Sequence, residues 1–379
     1  MPQLDIVAVR AQSMVALGKQ MNNVVIGASR DNRTWQVSME SDNVAGYLTW
    51  RQGGGAAGLG RVTARLARLV VAKDAAGDVA SLIEGEQVAS IPGLDVVADS
   101  FELYGRNLGR LELVANNNRN GQWRLQRLQL SNPDAELNGS GVWGPTPDAG
   151  PGAKRKMSLE LALDIKDIGR LMDRLGLAGT MRAGTGKLEG ELSWRGVPFA
   201  LDYPSMSGQL ALSTDKGQFL KADPGVAKLL GVLSLQSLPR RIALDFRDVF
   251  SEGFAYDTIR ANIGIANGVM STRDFKMKGI NATVVMDGSS DLARETQNLK
   301  VIVVPELNAG SASLLYALVT NPAIGFGTFI AQLVLREPLM KALTYEYAVT
   351  GTWSDPSVAK LDGRSGQASA NQAGSGGTN

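Results

Sequence analysis

The sequence has 379 residues, of which 44% are hydrophobic, and its 39 basic and 37 acidic side chains nearly balance. The length allows two or three domains or one long repetitive body, and the charge lacks the global basic field that is typical of nucleic-acid binding. Because the chain contains no cysteine and no histidine, disulfides, thiolate metal sites and Ser-His-Asp or Cys-His catalysis are excluded.

The N-terminal segment does not have the pattern of a targeting signal. Asp5 and Arg10 interrupt its apolar region, so it is neither a secretory signal nor a membrane anchor. Leu4, Ile6 and Ala8 alternate with other residues, as in a strand. We therefore expect the chain to be a fragment of a longer protein, or one whose start is misassigned.

A short strand pattern that begins with glycine and ends with tryptophan recurs along the chain. Its copies are Gly46–Trp50, Gly139–Trp143, Gly190–Trp194 and Gly351–Trp353. The first two copies follow strands that themselves begin with tryptophan. Recurrent strand units of this kind indicate an elongated, repetitive β-structure and not a compact catalytic domain.

Residues 1–145 are predicted to form the first segment of this structure, a repetitive β-groove. Apolar residues alternate or run together over short stretches, and turn-prone Gly and Asn residues separate them. The proline- and glycine-rich residues 146–156 are predicted to form the loop that follows.

Residues 157–306 are predicted to form a second β-groove domain with two short amphipathic helices. Apolar spacing and helix-start signals place these helices at Asp167–Gly176 and Asp223–Leu235. The remaining segments have the lengths and turn spacing of an antiparallel meander. The side chains predicted to line the groove are apolar residues of its strands. They are Leu159, Leu161, Leu163, Ile263, Ile265, Met270, Phe275, Met277 and Val284.

Residues 307–343 form a distinct apolar segment, with no charged residue in 307–335. Asn321–Pro322 divides it, which predicts two helices. These helices either contact a membrane or cap the open edge of the sheet, and both readings remain open. The residues predicted to lie nearest a membrane are Leu314, Leu315, Leu318, Ile324, Phe326, Phe329, Ile330, Leu333 and Val334. A terminal strand at 344–361 and a disordered polar tail at 362–379 complete the prediction.

Two motifs resemble a catalytic site and a phosphate-binding loop, but a strand face and a turn explain them. Glu189 and Glu191 share one face of a strand, as paired catalytic carboxylates do. Gly184–Lys187 has glycines before a lysine, but it lacks the full phosphate-loop pattern. A solvated strand face and a turn account for these residues, so no enzyme activity, cofactor or metal site is predicted.

Five segments carry a family resemblance. They are Gly60–Val71, Leu94–Ala115, Trp123–Trp143, Lys216–Ile259 and Asn321–Val358. These segments resemble, in order, the C-terminal part of YhdP-like proteins, which belong to the AsmA-like group of the bacterial envelope.

The resemblance implies a function in lipid transport. AsmA-like proteins are thought to form β-grooves across the periplasm that carry phospholipids between the inner and outer membranes. Full-length YhdP-like members have an N-terminal inner-membrane helix that this sequence lacks. Their C-terminal end is thought to approach the outer membrane. The implied partners are phospholipids, the outer membrane through the C-terminal helices, and other envelope proteins.

The sequence therefore predicts a mostly β, antiparallel groove with a few short helices and a helical C-terminal cap, acting as a non-enzymatic lipid conduit. Acyl chains would slide along apolar strand faces while head groups stay in solvent. One alternative is a scaffold for outer-membrane proteins, as in the TamB-like branch, in which the sheet edge templates a client strand. Another alternative is an enzyme on a β-solenoid, which needs a cluster of carboxylates or of Lys, Arg and Tyr that the sequence does not show.

Overall fold

The fold is mostly β, as predicted. A computed structural model describes residues 6–16, 19–53, 60–72, 91–118, 122–145, 155–220, 253–280, 282–305 and 344–361. Within these ranges there are 18 strands in one hydrogen-bonded sheet, together with one α-helix and one turn of 3-10 helix. The predicted helix Asp223–Leu235, the apolar segment 307–343 and the tail lie outside the described residues.

The strands follow one another along the chain with few interruptions. Their bounds are β1 Ile6–Ala16, β2 Lys19–Asp31, β3 Thr34–Glu40, β4 Val44–Arg51, β5 Arg61–Val71, β6 Gly93–Leu103, β7 Arg106–Asn117, β8 Trp123–Ser131, β9 Ala135–Gly144, β10 Lys156–Ile165, β11 Met181–Arg195, β12 Ser207–Phe219, β13 Phe254–Ala266, β14 Val269–Gly279, β15 Ala282–Asp291, β16 Thr296–Pro305, β17 Tyr345–Thr352 and β18 Pro356–Leu361. Helix α1 is Ile168–Arg174, and the 3-10 turn is Tyr203–Ser205.

Strands β1 to β11 pair with their neighbours in chain order, and so do β14 to β18. These pairs are antiparallel except for β5 and β6, which are parallel. A parallel pair needs a connection of a dozen or more residues, and residues 72–92 separate β5 from β6 in the sequence.

The chain divides into two compact units. Unit 1 contains residues 1–178, 186–210 and 266–268, and unit 2 contains residues 179–185, 211–265 and 269–379. Among the described residues of unit 1, buried apolar side chains cluster around the tryptophans of β8, β9 and β11 and around Phe101 of β6. Among those of unit 2, buried apolar side chains from β13 to β17 form a cluster.

Helix α1 lies within the helix predicted at Asp167–Gly176. The Asp167 carboxylate accepts a hydrogen bond from the Arg170 backbone N–H (3.0 Å), which is an N-cap. After the last turn, Gly176 adopts a φ of +86°, the left-handed conformation that ends many helices. Ile168 and Leu171 are buried, so the helix packs on the sheet through one apolar face.

Candidate functional site

The register of unit 1 aligns apolar residues into a line that crosses all of its first eleven strands. Residues that lie directly opposite each other on paired strands share one face of the sheet. One such line, the central apolar row, contains only apolar residues and glycine. Its members are Val7, Ala28, Val37, Leu48, Ala64, Val96, Leu113, Leu128, Gly139, Leu161 and Gly190.

A second line on the same face, the tryptophan-side row, runs beside the central row from β3 to β11. Its members are Trp35, Trp50, Val62, Leu94, Ala115, Leu125, Gly141, Leu159 and Leu192. A third line, the helix-side row, crosses β1 to β11 on the other side of the central row. Its members are Val9, Ile26, Met39, Gly46, Leu66, Ala98, Leu111, Leu130, Leu137, Leu163 and Leu188.

Three residues predicted to line a groove fall one in each row. Leu159 lies in the tryptophan-side row, Leu161 in the central row and Leu163 in the helix-side row. None of the residues predicted to line a groove lies on β1 to β9. The apolar residues of β1 to β9 alternate along their strands, but only the pairing register shows that they continue the rows of β10.

The central row is less buried than the cluster cores beside it. Every member except Ala64 is half-buried, whereas Ala98 and Leu111 of the helix-side row and Ala115 of the tryptophan-side row are buried. An apolar strip that remains partly accessible is available to an apolar ligand, because contact with that ligand removes further apolar area from water.

Glycines make the surface around Leu161 shallow. On one side Leu161 faces Gly139 and on the other Gly190, so neither cross-strand neighbour has a side chain. Gly190 has a φ of +151°, and a Cβ atom there would overlap the carbonyl oxygen of Gln209. Only glycine therefore fits the close approach of β11 and β12 at this point.

The opposite face of the same strands is polar and carries ion pairs. Arg65 on β5 pairs with Asp95 on β6 (Nη1–Oδ1 2.9 Å), and Lys187 on β11 pairs with Asp164 on β10 (Nζ–Oδ1 3.1 Å). These groups are substantially exposed, and such pairs add little to stability. They keep one face of the sheet hydrated while the other face is apolar.

The strands of unit 1 end on one side in a row that we call the tryptophan edge. Here Trp123, Trp143, Met157 and Trp194 lie in directly opposed positions at the ends of β8 to β11. All four side chains are at most 2% exposed. Each indole N–H donates to a backbone carbonyl oxygen. The acceptors are Pro92 for Trp123 (3.1 Å), Gly196 for Trp143 (2.6 Å) and Val197 for Trp194 (3.0 Å). These hydrogen bonds therefore hold the segments around Pro92 and Val197 against the tryptophan edge.

The opposite ends of the strands form the helix edge, which is covered by α1 and by the turns that connect β6 to β7 and β8 to β9. Arg174 of α1 donates from Nε (3.0 Å) and Nη2 (2.6 Å) to Oδ2 of Asp134. Its Nη1 donates to the Asn107 carbonyl oxygen (3.0 Å). The Asp134 side chain is only 6% exposed, so this buried, charge-assisted pair holds the helix on the turns.

In unit 2, three further predicted groove residues lie on one face. Phe275 faces Met286, and Met277 faces Val284. Met277 and Val284 are buried, and Phe275 packs against their cluster. Met270 lies on β14, and Ile263 and Ile265 lie on β13; of these, Ile265 is buried.

Residues 282–285 of β15 and 301–304 of β16, in unit 2, are buried on both faces of the sheet. Val284 and Val303 are buried on the face of the cluster, and Val285 and Ile302 are completely buried on the other. Within the cluster, burial raises the pKa of Tyr347 to about 12, with Tyr345 as a smaller cause. The apolar face of unit 2 is thus far less accessible than the central row of unit 1.

The residues predicted to lie nearest a membrane, from Leu314 to Val334, fall outside the described residues. Within the described ranges, no helix has the length and apolar character that a bilayer span requires. The same ranges contain no group of His, Cys, Asp or Glu side chains suited to a metal ion.

These observations define the chain as a repetitive β-sheet protein in which the sheet of unit 1 has an apolar and a polar face. Residues 1–358 match the family model described as "YhdP protein", so the chain belongs to the YhdP family. It is 30% identical over 228 residues to the "Intermembrane phospholipid transporter YhdP" of Escherichia coli strain K12. This match covers 60% of the present chain and 18% of that relative. No solved structure matches the chain.

Proposed function

We propose that this chain is a non-enzymatic part of a lipid conduit, in which phospholipid acyl chains bind along the apolar rows of unit 1. The observation that carries this proposal is the continuity of the central row through eleven strands. The similarity to an E. coli protein named as an intermembrane phospholipid transporter supports phospholipid as the ligand.

The dimensions and energetics of the rows suit passive movement of acyl chains along them. Neighbouring strands lie about 4.8 Å apart, so the central row extends roughly 50 Å along the sheet. Each buried methylene group of a ligand contributes about 0.8 kcal/mol. Because one position in the row resembles the next, an acyl chain moves along it with little net change in free energy. The hydrated opposite face takes no part in binding.

The cellular setting of this proposal is the bacterial envelope, with transport from the inner to the outer membrane. Ile263, Met270 and Phe275 of unit 2, which the sequence predicts to line a groove, would also contact acyl chains. The segment from Leu314 to Val334 would contact the outer membrane, and other envelope proteins would act as partners. The name of the E. coli relative supports this setting.

The first test compares two charges placed on opposite faces of β10. Leu161→Glu puts a carboxylate into the central row, whereas Ser158→Glu puts one on the exposed face of the same strand. After gentle purification from a Gram-negative host, native mass spectrometry and lipid extraction should show phospholipid on the wild type and on Ser158→Glu. Leu161→Glu should lose most of it, because an acyl chain cannot solvate a carboxylate.

Circular dichroism of both variants verifies that the sheet is intact. Equal lipid on Leu161→Glu and the wild type would refute binding along this row. A lipid-free wild type that binds unfolded outer-membrane barrel segments would instead favour the scaffold function, in which a strand edge templates the client.

A further inference from the structure

The helix edge of unit 1 contains a cavity of about 570 Å³. Its lining combines the start of β7, the β8–β9 turn and the outer side of α1. The charged groups of the lining are Arg106, Asp134, Arg170, Asp173 and Arg174. No residue of this cavity belongs to the apolar rows, so it has no part in the proposed binding of acyl chains.

Arg174 and Asp134 form the fixed base of the cavity. All three hydrogen bonds described for Arg174 go to Asp134 and to the Asn107 carbonyl oxygen. The charge of Asp134 is therefore matched within the protein, and the pair holds α1 at a fixed distance from the turns. This pair positions the other groups and does not itself need a ligand.

Arg106 is an exposed arginine that lines the cavity. Its guanidinium lies against Gly176, where a Cβ atom would overlap Cζ of Arg106. The glycine thus creates the space in which the guanidinium lies. Among the described residues, no hydrogen bond or ion pair engages the Arg106 side chain.

Arg170 supplies a second accessible cation. Its side chain is 73% exposed, and its Nε atom lies 3.5 Å from Oδ2 of Asp167. This long, exposed contact compensates little of its charge. The lining as a whole contains three arginines and two aspartates, which gives a net charge of +1. That charge matches an anion with a single negative charge.

We propose that this cavity binds the phosphate of a phosphodiester, held by Arg106 and Arg170. Guanidinium groups fit phosphate oxygens through paired N–H donors, and phosphodiesters carry one negative charge. Lipid head groups contain a phosphodiester, and free phosphate presents the same kind of oxygens to guanidinium groups without being a diester.

Exposed apolar side chains beside the cavity favour the lipid as the source of the phosphate. Tyr104, Leu175 and Leu177 are 44%, 42% and 50% exposed and lie within three residues of the lining. They provide a surface for the glycerol and the first methylene groups of a phospholipid. Only this choice of source rests on the proposed conduit function.

The test uses the full chain and two probes, monomeric dihexanoylphosphatidylglycerol and inorganic phosphate, titrated by calorimetry. The variant is Arg106→Gln with Arg170→Gln, which leaves the Arg174–Asp134 pair intact. The matched control is Arg124→Gln, an exposed arginine of β8. We expect saturable binding of the lipid probe by the wild type and the control. The double variant should bind at least about tenfold more weakly, as loss of charge-assisted hydrogen bonds predicts.

The two probes separate the sources of phosphate. Binding of the lipid at least tenfold tighter than inorganic phosphate supports a head-group site, and equal binding supports a phosphate site without lipid preference. Absence of saturable binding, or equal binding by the double variant and the wild type, overturns the proposal. Acyl lipid that co-purifies with the double variant would support the proposed conduit function even if the head-group site is refuted.

Discussion

Single glycines determine how closely the strands approach around the central row. Gly190 lies opposite Leu161 and against the backbone of Gln209, with a φ that side chains rarely adopt. Gly27 on β2, in contrast, has no atom within 4 Å of a Cβ position. The same residue type therefore has a structural requirement at one position and none at the other.

Gly190→Ala should lower the free energy of unfolding by about 1–3 kcal/mol, because the methyl group meets a backbone oxygen and the backbone becomes strained. The matched variant Gly27→Ala should stay within about 0.5 kcal/mol of the wild type. Thermal unfolding followed by circular dichroism measures both. Equal midpoints for the two variants would show that β11 and β12 do not approach as described.

Tyr347 makes the stability of unit 2 sensitive to alkaline pH. Its pKa rises from 10.0 to about 12, mainly because burial disfavours the phenolate. The unfolded chain therefore releases this proton first as the pH rises. The stabilisation from neutral Tyr347 is complete below pH 10 and is lost as the pH increases through 12.

Tyr347→Phe should make stability less dependent on pH between 10 and 12. Because the buried Tyr347 hydroxyl has no hydrogen-bond partner among the described residues, its removal should not lower stability at pH 7. Urea unfolding at pH 7, 10 and 11.5 provides the measurement, with the exposed Tyr47→Phe as control. An unchanged alkaline slope in Tyr347→Phe would contradict the buried, neutral phenol.

At the scale of elements, α1 depends on one buried ion pair that no local pattern predicts. Helical spacing, the Asp167 cap and Gly176 were sufficient to predict where this helix lies. The pair between Arg174 and Asp134 was not predictable, because its partners are far apart in sequence and meet only through the β8–β9 turn. Local propensity fixes the helix, and long-range pairing fixes where it docks.

Arg174→Ala should lower the free energy of unfolding by about 3–5 kcal/mol, because it leaves the Asp134 carboxylate buried without its partner. Lys187→Ala breaks the exposed pair with Asp164 and should cost less than about 1 kcal/mol. Urea midpoints compare the two variants directly. Similar midpoints would mean that the Asp134 carboxylate is as hydrated as that of Asp164.

At the scale of the whole molecule, alternation predicted the faces of the strands but not their alignment. Alternation within one strand predicts Leu159, Leu161 and Leu163 as groove residues, and the register places each in a separate row. Two features of that register lie beyond local patterns: the parallel β5–β6 pair and the irregularity between Leu125 and Leu128. Both depend on which distant segments pair, so the continuity of the rows emerges only from the assembled sheet.

If lipid binds along the whole central row, its contacts should alternate with a period of two residues at distant strands. A photo-crosslinking residue at Val37 on β3 or Leu161 on β10 should capture co-purified phospholipid. The same group at the adjacent Ser38 or Glu160 should not, because successive side chains point to opposite faces. Mass spectrometry of the crosslinked chain measures each yield. Capture at Leu161 but not at Val37 would confine the ligand to a local site, and equal capture at adjacent positions would rule out a lipid-bearing face.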